Sequence, residues 1–275
     1  VMLLATLDGN LHDPNSPLIR VDDLGVLRGE GVFETLLVVS GQVRDLSEHL
    51  ARLQVSAHLS DMTTPPIAAW HRGIDAVLTA WREPAEMVLR LTATRGSETG
   101  AQPTCFVTGT QVPEKIRQQR EGISVLTLDR GHSGAAAATL PWLLTGVKSI
   151  SYAVNMSALR YARAHGADDA LFVGTDGHVL EGATAAVVVA RGDTLITPPE
   201  DGILPSITVR RLFHHAALDG WTTEESPLTR TDLIAADGVW LVSSVRLLAP
   251  VTSIDSGKIR ISSDHDRLLG LLRQN

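Results

Sequence analysis

Apolar residues recur along the chain in two rhythms, one of strands and one of helices. From Gly31, "GVFETLLVVSGQVRDL" reads as a strand, a Ser-Gly turn and a short return strand, a hairpin signal. Leu46, Leu50, Leu53 and Ala57 then fall on one helical face, with Ser47 as the expected N-cap. Ile67, Trp70, Ile74, Val77 and Trp81 repeat that spacing, and "EMVLRLTATRG" and "TCFVTG" read as strands. Over residues 109–122, "GTQVPEKIRQQREG", the pattern lapses into proline, glycine and charge. The chain therefore divides into an N-terminal α/β domain over 1–112, a linker over 113–122 and a C-terminal domain over 123–275.

The second half opens with the strand "ISVLTLD" and a flexible stretch, "GHSGAAAA". "AVNMSALRYARAHG" is a helix closed by Gly166. "ALFV", the turn "GTDG", "HVLEG", "AAVVVAR" and "TLITP" form a run of short strands, a further helix starts near Ser206, and "VWLVSS" and "LLAPVTSI" supply the last strands. No internal repeat is visible. Strand groups alternating with helices predict two α/β or α+β domains.

Composition narrows the function classes. Of 275 residues, 44% are hydrophobic and 20% charged, without an apolar run of membrane-spanning length, so a globular protein with no membrane span is expected. A net charge of −7 leaves no basic surface for nucleic acid, which points to a small-molecule partner. Cys105 is the single cysteine and has no intrachain disulfide partner. With no leader of secretory type, the cytosol is the expected compartment.

Lysine is scarce, and its placement is informative. Lys115 and Lys258 sit among charged and turn residues, whereas Lys148 in "TGVKSISYAVNM" has no charged residue within seven positions on either side. Burial there favours the free amine, a nucleophile; the alternative is a stem that carries the ammonium to water. A Schiff base between Lys148 and an aldehyde cofactor needs an anion pocket, a carboxylate for a ring nitrogen and a donor for a phenolic oxygen. Glu181 in "HVLEGATA" is a candidate carboxylate, or an acid on a hairpin rim. The start of the helix in "ILPSIT" offers the amides of Ile207 and Thr208 and the Thr208 hydroxyl to an anion, or simply a cap. Arg52 is a candidate cation, or the partner of Glu48 one helical turn earlier. Ser243 and Ser244 offer hydroxyls at a strand end, and Tyr152 a phenol four residues after Lys148.

Taken in order and spacing, "RGEGVFETLLV", "HLARL", "RLTATRG", "VKSISY", "HGADDALFVGTDGHVLEGATA", "ILPSIT" and "VSSVRLLAPV" resemble the class IV aminotransferase family, the fold-type IV enzymes of pyridoxal 5'-phosphate. The resemblance covers nearly the whole chain. It implies a two-domain α/β (α+β) architecture like that of D-amino acid aminotransferase, with the cofactor held by the C-terminal domain. It also implies Lys148 as the Schiff-base lysine and catalytic base, Glu181 at the pyridine nitrogen and Tyr152 at the phenolic oxygen. Arg52, Ile207, Thr208 and Ser244 are implied at the phosphate. Two positions depart from the family pattern: Ser206 stands where a glycine is usual and Ala186 where an asparagine is common.

Within the family, D-amino acid aminotransferases resemble one another in an Arg-x-His pair after the "TRG" turn, and here those positions are Gly100 and Gln102. "GVFET" and "TRGS" look most like the lyase branch. The resemblance thus implies a 4-amino-4-deoxychorismate lyase of folate biosynthesis, acting on a small-molecule amine and releasing pyruvate and 4-aminobenzoate. The alternatives are an amino acid transaminase, branched-chain-like more than D-amino acid type, and a non-catalytic binding or interaction protein. Phe33, Arg28 and Arg95 are candidates to meet substrate, no metal is implied, and a homodimer is expected by family likeness.

Overall fold

The computed structural model describes residues 1–83, 86–100 and 102–274. It divides into two compact units, the first Val1–Pro113 with Val147–Tyr152, the second Glu114–Gly146 with the chain from Ala153 on.

The first unit runs β1 (Met2–Thr6), β2 (Leu11–His12), α1 (Leu24–Leu27), β3 (Gly31–Val39), β4 (Gln42–Val43), α2 (Leu46–Leu59), α3 (Ile67–Ala80), β5 (Met87–Thr94) and β6 (Cys105–Gln111). Among the described residues its strands form one antiparallel sheet in the order β2-β1-β6-β5-β3-β4. Period-two alternation sends Val32, Leu36 and Val38 of β3 and Leu89 and Leu91 of β5 to one face, where they join Leu50, Leu53 and Ala57 of α2 and Trp70, Ile74 and Val77 of α3 in one buried cluster. Both predicted helices are present. The first starts earlier than its expected cap: Asp45 precedes it in a left-handed turn, and the Ser47 hydroxyl donates to Glu48 instead. Leu46 packs against the core, so the first turn must already be helical there.

The second unit contains α4 (Glu114–Gln118), β7 (Ile123–Asp129), α5 (Gly134–Ala138), α6 (Ala153–Ala164), β8 (Asp169–Val173), β9 (Val179–Gly182), β10 (Ala186–Arg191), β11 (Thr194–Thr197), α7 (Ile207–Leu218), β12 (Thr222–Glu225), α8 (Arg230–Ala235), β13 (Gly238–Ser243), β14 (Leu247–Ile254), β15 (Gly257–Lys258) and α9 (His265–Arg273). Its sheet follows the order β12-β11-β10-β13-β14-β7-β8-β9, with β15 on β14. β14, β7 and β8 are parallel neighbours, as are β11 and β12, and the other pairings are antiparallel. Such a mixed sheet needs crossovers, and α6 supplies the one from β7 to β8. Strands β10 and β13 are buried almost throughout, which accounts for the unbroken apolar runs "AVVVA" and "VWLV".

"GHSGAAAA", expected to be flexible, instead forms α5. Ser133 caps it by accepting from Ala136 N at 3.2 Å, and alanine is the best helix former. α6 ends as its sequence predicts, with Gly166 at φ 80° just beyond the last turn. No helix among the described residues is long and apolar enough to cross a membrane.

Candidate active site

In the first unit, Val147–Tyr152 lies along the N-terminal half of β3. Phe33 N donates to Lys148 O at 3.0 Å, Ile150 N donates to Gly31 O at 2.9 Å, and Val32 bridges Ser149. A side chain at Gly31 would collide with Ala93 O and the Ile150 side chain, each 2.7 Å from its Cβ position, so glycine is what admits the segment. This antiparallel register sets Lys148 opposite Phe33 on the same sheet face. On β5, Thr92 is opposite Phe33, which makes Arg90 the diagonal neighbour on that face.

The side chains follow. Lys148 Nζ stands 4.7 Å from the Phe33 ring centroid, Arg90 Cζ 3.9 Å from it, and Tyr152 packs edge-on to the same ring at 5.2 Å. Phe33 is thus a shared floor against which an amine, a phenol and a guanidinium each pack. Arg90 has no hydrogen bond or ion pair among the described residues. Burial pushes its guanidinium down from its ordinary value, while Tyr152 acts in the opposite direction.

The other face of β3 carries Glu34, which is wholly buried. His49, Arg52 and Ser56 form one stripe of α2 at spacings of three and four residues. Arg52 donates from Nε to Glu34 Oε1 at 2.7 Å and from Nη2 to Oε2 at 2.8 Å, and His49 Nδ1 lies 2.6 Å from Oε2. Ser56 Oγ, at the end of the stripe, accepts the Lys148 backbone N–H at 3.1 Å. Arg52 therefore stands one helical turn from the contact that pins Lys148. Burial alone would raise the Glu34 carboxyl, but hydrogen bonds from Arg52 and His49 outweigh it and bring the pKa from 4.5 down to about 2.

A depressed carboxylate stabilises the fold above its unfolded pKa, and that stabilisation is lost as pH falls through the folded value. Glu34 is therefore expected to contribute roughly 3 kcal/mol at neutral pH, lost as pH falls from about 4.5 toward about 2. Urea unfolding of wild type and Glu34→Gln should show a stability gap that narrows between about pH 6 and about pH 3. A gap of constant size would contradict this.

The other two arginine candidates have structural contacts. Arg95 pairs with Glu30 and donates to Asp61 O at 2.9 Å and Ser60 O at 2.7 Å; Arg28 pairs with Glu98 at 3.1 Å and is half exposed. Arg90 went unremarked in the sequence because it alternates with Thr92 on what reads as a solvent face. A segment more than fifty residues away in the chain supplies its company.

In the second unit, Glu181 is half-buried on β9 and its Oε2 accepts Leu204 N at 3.4 Å. That bond ties the carboxylate to the loop that leads into α7. Ser206 caps α7: its hydroxyl accepts from Val209 N at 3.2 Å and its carbonyl from Arg210 N at 3.1 Å. The amides of Ile207 and Thr208 thus lie ahead of the helical ladder, at the positive end of the helix dipole. Thr208 Oγ1 donates to Ser244 Oγ at 3.4 Å, placing a second hydroxyl beside that first turn. The serine at the usual glycine position acts as the cap, and Ala186, at the common asparagine position, is buried in β10.

These donor sets fit pyridoxal phosphate: an amine with a phenol on its own sheet face, a helix start with two hydroxyls suited to a phosphate, and a carboxylate held by an amide. Among the described residues no group of His, Cys, Asp or Glu is assembled to hold a metal ion.

The profile of the amino-transferase class IV family matches residues 31–254. The chain belongs to the class IV aminotransferase family. Membership makes this class IV aminotransferase a pyridoxal phosphate enzyme, a transaminase or a lyase, with the fold-type IV architecture. It is 41% identical over 268 residues to the bifunctional aminodeoxychorismate lyase / D-amino acid transaminase of Mycobacterium tuberculosis, covering 94% of this chain and 93% of that one. A hypothetical aminotransferase from the same organism, solved in its PLP-bound form, superposes with a TM-score of 0.96 at 39% identity, over 98% of this chain and 97% of the other. A fold IV-transaminase from Curtobacterium pusillum gives 0.93 at 38% identity over 98% and 97%.

Proposed function

We propose that this class IV aminotransferase is a 4-amino-4-deoxychorismate lyase that releases pyruvate and 4-aminobenzoate, a reaction of folate biosynthesis. The observation that carries the reading is the shared floor of Phe33. It brings the Lys148 amine and the Arg90 guanidinium to one ring, and Arg90 has no counter-ion among the described residues, so an amine substrate bearing a carboxylate is offered both a reacting base and a fixed cation. "GVFET", "TRGS" and the name of the Mycobacterium tuberculosis relative favour the lyase.

Lys148 would hold the cofactor aldehyde, Glu181 its pyridine nitrogen, Tyr152 its phenolic oxygen, and Arg52, Ile207, Thr208 and Ser244 its phosphate. When bound, the cofactor supplies an electron sink next to the substrate nitrogen. The chain's own residues do the remaining work. Lys148 Nζ takes the proton from the ring carbon that bears the nitrogen and returns one to the departing enolpyruvyl group, and the ring becomes aromatic as pyruvate leaves. Arg90 holds a substrate carboxylate and Phe33 excludes water beneath the amine. Arg90→Gln is expected to raise KM roughly tenfold to a hundredfold with the cofactor still bound, the scale of a lost charge-assisted bond. Steady-state kinetics beside the cofactor absorbance check this, and an unchanged KM would remove Arg90 from the site.

A second reading, D-amino acid transaminase, is favoured by the double name of the relative. That name sets the D-amino acid type ahead of the branched-chain type, although Gly100 and Gln102 stand where the Arg-x-His pair is expected. Incubation with 4-amino-4-deoxychorismate alone separates the two. The lyase yields pyruvate and 4-aminobenzoate in equal amounts without any amino acceptor, whereas turnover only of D-amino acid and 2-oxo acid pairs would overturn the proposal.

In this reading the enzyme works as a homodimer in the cytosol. Val26 and Leu27, each 61% exposed, and Trp142, 71% exposed, are apolar side chains suited to an interface. Light scattering should give about twice 29.5 kDa at micromolar concentration. A fully active species at the single-chain mass would refute it.

A further inference from the structure

The Glu34–His49–Arg52 cluster lies on the sheet face opposite the Phe33 floor, and of its three members only Arg52 has a role in the reading above. All three residues are ordered by one another. Glu34 is wholly buried, His49 is 1% exposed and the Arg52 side chain 11% exposed. A carboxylate with a pKa near 2 is ionised at any working pH and can only accept, so His49 Nδ1 is the donor in its 2.6 Å contact with Oε2. Arg52 meets the same carboxylate with two parallel bonds, from Nε and Nη2. A bidentate pair fixes the plane of a guanidinium as well as its position, which a single contact or a lysine ammonium does not. Burying such a pair is costly, and replacing it by apolar residues is often neutral for stability. A packed core therefore gives no reason for the three residues to be charged.

We propose that Glu34 is a positioning residue: buried under β3 and braced by His49, it sets the plane of the Arg52 guanidinium so that Arg52 meets the cofactor phosphate. The inference rests on the reading of Arg52 as a phosphate ligand given above. His49, Arg52 and Ser56 are successive members of one α2 stripe, and Ser56 Oγ accepts the Lys148 backbone N–H. The brace at Glu34 therefore aligns the phosphate contact with the lysine that takes the aldehyde. Glu34 touches neither group itself. Its effect is specific to the phosphate and independent of the ring chemistry.

The test compares affinity for pyridoxal phosphate with affinity for pyridoxal, which lacks the phosphate, in apo protein titrated by absorbance. Glu34→Gln is expected to weaken pyridoxal phosphate binding roughly tenfold or more while pyridoxal changes less than about threefold. Arg52→Lys, which keeps the charge but cannot be held in a plane, should show the same selective loss, and the double variant should lose no more than either single one. His49→Gln, a milder change, should shift the same ratio in the same direction and keeps the test open if Glu34→Gln does not fold. Equal losses for both ligands, or additive losses in the double variant, would overturn the positioning role. If Arg52→Lys itself leaves the ratio unchanged, the phosphate reading of Arg52 fails. A selective loss in Arg52→Lys with none in Glu34→Gln or His49→Gln leaves that reading standing and removes the role of Glu34.

Discussion

Lys148→Ala is expected to abolish turnover while the protein stays folded. The side chain lies over the Phe33 ring, and the backbone is tied into the sheet: its carbonyl accepts Phe33 N and its amide donates to Ser56 Oγ. Truncation keeps both backbone bonds, so the cost to stability is expected to be modest, about 1 kcal/mol. Catalysis has no substitute nearby, because the other two lysines, Lys115 and Lys258, are exposed. Circular dichroism and thermal unfolding close to wild type, with product formation below detection, is the expected pair of results. Residual turnover within a hundredfold of wild type would show that the base lies elsewhere.

Glu181→Gln is expected to keep the cofactor but slow proton abstraction by a hundredfold or more, ~3 kcal/mol, the scale of losing a preorganised electrostatic partner. Gln matches Glu in shape and can still accept from Leu204 N through its amide oxygen, so the loop into α7 should stay in place. What it removes is the negative charge that favours a protonated pyridine nitrogen. Single-turnover kinetics of cofactor-loaded protein isolate that step from binding. Activity within a few-fold of wild type would place Glu181 outside the cofactor's reach.

What the sequence revealed and what it hid follow from the range of the interactions. The hairpin at Gly31, the amphipathic α2 and α3 and the Ser206 cap of α7 are written in local spacing, and local spacing reads them. Lys148 stood out because the charges around it are missing, a feature that needs no fold to be seen. Its neighbours were hidden. The pairing of Val147–Tyr152 with β3 joins positions more than a hundred residues apart in sequence, which no periodicity records, so nothing local marks Arg90. The same holds for Arg52. The helical rule points to Glu48 one turn away, while the bidentate bonds run to Glu34 on a strand. α5 was missed for a different reason: a glycine-rich approach masks a short alanine run whose cap, Ser133, precedes it.

Every role proposed for these residues depends on a Schiff base at Lys148. Borohydride reduction of the protein loaded with pyridoxal phosphate, followed by peptide mapping, should place the pyridoxyl label on the peptide that contains Lys148, at one label per chain. A label on Lys115 or Lys258, or none on any lysine, would contradict it.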